Sequence, residues 1–76
     1  MRPLTRLSDP DGWIDQIFSA RAASRGAVIR RNTRWVEREI GRERFIAEVS
    51  SRGWHMIESG GQLVVLCNSG GIEIVC

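Results

Sequence analysis

The apolar positions of this chain follow two rhythms. Trp13, Ile14, Ile17 and Phe18 recur at i, i+1, i+4 and i+5, the spacing of one helix face, whereas from Trp54 onward apolar and polar residues tend to alternate, the period of a half-buried strand. The helical rhythm has a start signal. Ser8 or Asp9 can serve as N-cap, Pro10 suits the first helical position, and Asp11 and Asp15 lie toward the positive end of the helix dipole. Ala20, Ala22 and Ala23 carry this helix toward Gly26, a natural stop. Its Trp-Ile-Ile-Phe stripe reads as core, because a chain this short has few other large apolar side chains with which to build an interior.

A β-branched run over residues 27–31 predicts a short edge strand, after which Asn32 or Thr33 can cap a helix over 34–40. Extending that helix through Gly41 would set Val36, Ile40 and Ala47 on one side and Phe45, Ile46 and Val49 on another, at 100° per residue. One straight helix cannot bury both sets, so a break at Gly41 and a second helix over 42–52 are expected. On that second helix Arg44, Glu48 and Arg52 follow at i+4 as a charged, solvated face. Gly60-Gly61 then supplies a two-residue hairpin turn that sets Ile57 opposite Val64 and Met56 opposite Val65. A further turn within 68–71 would continue the sheet through 72–76. One face would collect Trp54, Met56, Leu63, Val65, Cys67, Ile72, Ile74 and Cys76 and receive the helices. The other, with His55, Ile57, Gln62, Val64, Leu66, Glu73 and Val75, is mixed. The predicted fold is α+β: an N-terminal helix, a short strand, two short helices broken at Gly41, and a three-stranded antiparallel β-meander. Residues 1–8 are expected to form a flexible arm and 9–76 a single domain.

Composition narrows this picture. The 76 residues allow one domain, and 42% hydrophobic residues suffice for one compact core. No apolar run approaches the roughly 18 residues needed to span a bilayer, and the first residues lack the apolar stretch of a secretory signal, so the expected location is cytoplasmic, with no membrane partner. Cys67 and Cys76 form no CxxC and no zinc spacing with His55. The predicted register holds them beyond disulfide reach, so both should be reduced and no metal is expected.

No GxGxxG, P-loop, HExxH or GxSxG occurs, and His55 has no triad context, so the sequence points to no enzyme, no cofactor and no small-molecule substrate. What remains is charge. All eleven basic residues are arginine, and residues 29–52 carry seven of them against four glutamates. Arginine's planar fork suits phosphate, although arginine-only usage also follows from GC-rich codons. The candidate nucleic-acid contacts are Arg30, Arg31, Arg34, Arg38 and Arg42, which would give affinity without sequence specificity. Local ion pairing with the interleaved Glu37, Glu39, Glu43 and Glu48 is the competing account. A helix-turn-helix reading through Arg42 and Arg44 is weakened by Phe45, Ile46 and Val49, which commit one face of that helix to the core. The alternative function is a protein-interaction or homodimerising domain that works through an open sheet edge or the mixed face around Ile57, Val64 and Leu66.

The succession Val28-Ile29-Arg30-Arg31, Val36-Glu37-Arg38, Ile40-Gly41-Arg42, Phe45, Arg52-Gly53, Ile57-Glu58 and Cys67-Asn68 resembles a family of short, uncharacterised bacterial proteins of about this length, for which no activity is established. Residues 42–76 are similar in element order to small ribonuclease toxins with a double-stranded-RNA-binding-like fold. Those toxins carry a catalytic histidine just after the glycine of the first hairpin turn, where this chain has Gln62. That departure argues against ribonuclease activity and leaves RNA binding open.

Overall fold

In the computed structural model, which describes residues 9–19, 21, 23–24 and 26–76, three helices pack against one face of a three-stranded antiparallel sheet. The elements run α1 (Pro10–Ile17), β1 (Val28–Asn32), α2 (Thr33–Glu39), α3 (Arg42–Ser51), β2 (His55–Ser59) and β3 (Gln62–Leu66). The α+β class and the helix break at Gly41 are as the sequence predicts. The expected arm over 1–8, and the helical roles of Ala20 and Ala22, fall outside the described residues.

Local chemistry explains the helix starts. The Asp9 carboxylate accepts the N–H of Gly12 (3.2 Å) with Pro10 at the first helical position, and the Asn32 side chain accepts the N–H of Trp35 (2.9 Å). Gly41, with φ of 100°, closes α2 by returning its N–H to the carbonyl of Val36 and leads directly into α3. α1 stops at Ile17, well short of Gly26. The apolar stripe ends at Phe18, whose backbone N–H closes the helix on the carbonyl of Ile14.

The sheet order is β1-β3-β2. The hairpin register is the one expected, with Met56↔Val65 and Ile57↔Val64, and Gly60 and Gly61 both take positive φ in its turn. The third strand is different. Residues 72–76 form no strand, and β1 occupies the flank of β3 that a meander would have used, pairing Ile29 with Val65 and Arg31 with Leu63. β1 holds that place because Ile29 enters the core and Ala27 and Thr33 extend the ladder at either end, through Cys67 N–H to Ala27 O (3.0 Å) and Thr33 N–H to Gly61 O (2.9 Å). Ile72, Ile74 and Cys76 are therefore exposed rather than packed under the helices.

The core lies between the sheet and the helices. Ile14, Ile17 and Phe18 from α1 and its end, Val36 and Ile40 around α2, and Phe45 and Val49 from α3 meet Ile29, Leu63, Val65 and Cys67. Trp54 and Met56 pack at its margin, as their strand parity requires. Both cysteines are free. Cys67 is buried, which pushes its thiol pKa up, and Cys76 is exposed.

Candidate nucleic-acid interface

Asn32 both ends β1 and caps α2, so no loop separates Arg30 and Arg31 from the first turn of that helix. Successive strand residues face opposite ways, which sets Arg31 on the helix side of the sheet and Arg30 on the open side, both on an edge strand. α1 packs beside α2 so that Trp13 meets Trp35 edge to face, with ring centroids 4.9 Å apart and planes at 77°. These elements enclose an open groove of about 530 Å³ lined by Trp13, Gln16, Ile17, Arg30, Arg31, Asn32, Trp35 and Arg38, with no acidic side chain among the lining residues. A smaller depression of about 290 Å³ carries Arg30, Arg31 and Asn32 on to Gln62.

The five sequence-predicted arginines separate. Arg30, Arg31 and Arg38 line the groove. Arg34 is exposed one turn before Arg38 and lies outside the lining. Arg42 is elsewhere, donating to Glu58 (2.7 Å) and Glu37 (3.3 Å). The hydrogen bond to Glu58 raises the Arg42 pKa further, and the same bond holds the Glu58 carboxyl below the usual glutamate range. Ion pairing thus accounts for part of the cluster. Arg38 also donates to Glu39 (3.0 Å), Arg44 pairs with Asp11 across to α1, and Arg52 with Glu48. Among the described residues Arg30, Arg31 and Arg34 have no carboxylate partner, and Arg31 Nη1 donates to the carbonyl of Arg30 (2.8 Å).

Sequence reasoning missed the two tryptophans. It favoured the core for Trp13 and counted Trp35 only toward the apolar total of that core, whereas both are half-buried, packing on the core with one part and walling the groove with another. The available signal was local: Trp35 follows Arg34 and precedes Arg38 by one turn, polar company for a core residue.

The other candidates lie across the molecule. Ile57, Val64 and Leu66 share the open face of the sheet, where Val28 is opposite Leu66 and Arg30 opposite Val64. A second groove, of about 300 Å³, runs between α3 and β2, lined in part by Arg42, Ile46, Trp54, Met56 and Glu58. His55 also borders it, with its Nε2 buried and unpartnered. Among the described residues no group of three or more His, Cys, Asp or Glu could hold a metal ion, and no helix is long and apolar enough to cross a membrane. Compared with known proteins, the chain matches no family profile, no curated protein and no solved structure.

Proposed function

We propose that this chain is a non-enzymatic module that binds single-stranded nucleic acid in the Trp13–Trp35 groove. The observation that carries the reading is the groove's lining: two half-buried indoles beside three arginines, with no acid among them. Single strands are held in this way, by a basic track for the backbone and aromatic faces or edges for unstacked bases, without need of base-specific donors. Arg30 and Arg31 supply phosphate contacts free of competing carboxylates. Arg38 shares its charge with Glu39, and Arg34 extends the track along α2. Arg42, committed to Glu37 and Glu58, contributes only to the long-range field.

Fluorescence anisotropy of a labelled random-sequence single strand and a duplex, titrated with the protein at low and moderate salt, tests this. Single strands should bind more tightly than duplex. Three phosphate contacts predict a slope of about −2 in log K against log salt. Arg30→Ala/Arg31→Ala should lower that slope by about 1.4, and Trp35→Ala should cost roughly 1–3 kcal/mol for a stacked base. Absent or salt-insensitive binding would sink the proposal.

A further inference from the structure

The sheet has one strand position left open and the chain carries an unpaired segment with the pattern to fill it. β3 is bonded on both sides, but β2 on one only. In a two-residue hairpin the residues flanking the turn, here Ser59 and Gln62, form a hydrogen-bonded pair. Alternation then turns the N–H and C=O groups of Ile57 and His55 toward β3 and those of Met56 and Glu58 outward. The other edge, on β1, is blunted: the outward carbonyl of Arg30 already accepts from Arg31, and Asn32 is engaged as a helix cap.

Beside the free edge of β2 lies the groove of about 300 Å³, with Val49 and Leu63 beneath and Ile46, Trp54 and Met56 around it. Ile46 is 40% exposed there, although its neighbours Phe45 and Val49 are buried. The candidate occupant is residues 72–76, where Ile72, Ile74 and Val75 are 45%, 79% and 88% exposed and no backbone hydrogen bond joins the segment to the rest of the described chain. The segment is rich in β-branched residues, and Ile72 and Ile74 fall on one side of it.

We infer that residues 72–76 of one molecule add as a fourth strand to the β2 edge of a second copy, with Ile72 and Ile74 entering the groove beside Ile46 and Met56. Val75 then lies on the side of Ile57. A second copy can present its edge in the antiparallel sense. The molecule's own β2 would require residues 67–71 to cross the end of that strand and lay the segment parallel to it, a weaker pairing. Reciprocal addition closes a two-fold dimer and doubles the area that one short strand could bury. The inference does not depend on the tryptophan groove.

Sedimentation velocity of the full chain across the micromolar range, under reductant because Cys76 is exposed, should show a concentration-dependent dimer. Ile74→Pro removes one donor from an exposed segment; it should leave the thermal melt of the monomer unchanged and weaken dimerisation about tenfold or more. Deletion of residues 72–76 should abolish the dimer, and dimerisation of the intact chain should slow amide exchange at Met56 and Glu58. A monomer at every concentration, a dimer that survives both variants, or unprotected Met56 and Glu58 amides in the dimer would each overturn the inference.

Discussion

Arg42 and Glu58 are sixteen residues apart in sequence and 2.7 Å apart in space, joining the start of α3 to β2. Both are exposed, so the pair contributes little net stability at neutral pH, but it leaves a titration signature. The hydrogen bond from Arg42 keeps the folded Glu58 carboxyl below 4.5, its ordinary value. Within the window between those two values the unfolded chain binds more protons than the folded one. The contribution is therefore fully present above that window and is lost as pH falls through the folded value. Glu58→Gln should accordingly flatten the fall of Tm as the pH drops below about 5 relative to the parent chain. Parallel melts of the two proteins across that range check it, and equal slopes would show that the pair is not felt. The raised Arg42 titrates beyond any useful range and adds no pH dependence of its own. The sequence showed that Arg42 had carboxylates nearby, but only the docking of α3 on the hairpin brings in Glu58.

Elements that begin on a local signal were readable. Asp9, Asn32 and Gly41 act within a few residues of themselves, and all three helix starts follow them. Elements decided by competition for a tertiary place were not: residues 72–76 have a strand pattern as good as residues 28–32, and only the core position of Ile29 and the direct passage into α2 settle which of them flanks β3. Gly41 offers a clean test at this scale. A Cβ there would meet no atom within 4 Å, so its cost is confined to the backbone at φ of 100°. With ψ of 132° this backbone lies beyond the left-handed helical region, in space that side chains rarely adopt, so Gly41→Ala should destabilise the fold by roughly 1–3 kcal/mol. In a domain this small each kcal/mol lowers Tm by about 4–8 °C. Gly71→Ala serves as control, since that position has neither positive φ nor a near neighbour, and its melt should match the parent's. A Gly41→Ala protein as stable as the parent would mean that the corner between α2 and α3 tolerates another conformation.

At the scale of the whole molecule, the groove is a consequence of the core. Trp13 comes from α1, Arg30 and Arg31 from β1, and Trp35 and Arg38 from α2; their convergence could not be read from any one stretch, because it exists only once α1 is docked. Phe45 is central to that docking. It is fully buried and its ring lies 5.6 Å from that of Phe18, the residue that ends α1. Phe45→Ala should cost about 3–5 kcal/mol through lost burial and the cavity left behind. A domain of this size has a stability near the lower end of 5–15 kcal/mol, so a large fraction of the variant should be unfolded or close to it. Ile46→Ala, one residue along and partly exposed, should cost far less, and urea unfolding of the two variants measures the difference directly. Nucleic-acid binding separates the levels. Phe45→Ala should lose binding together with the fold, whereas Arg30→Ala/Arg31→Ala should lose it with an unchanged urea midpoint. If Phe45→Ala bound as well as the parent while largely unfolded, the affinity would reside in the arginine-rich chain itself and the groove would have no part in it.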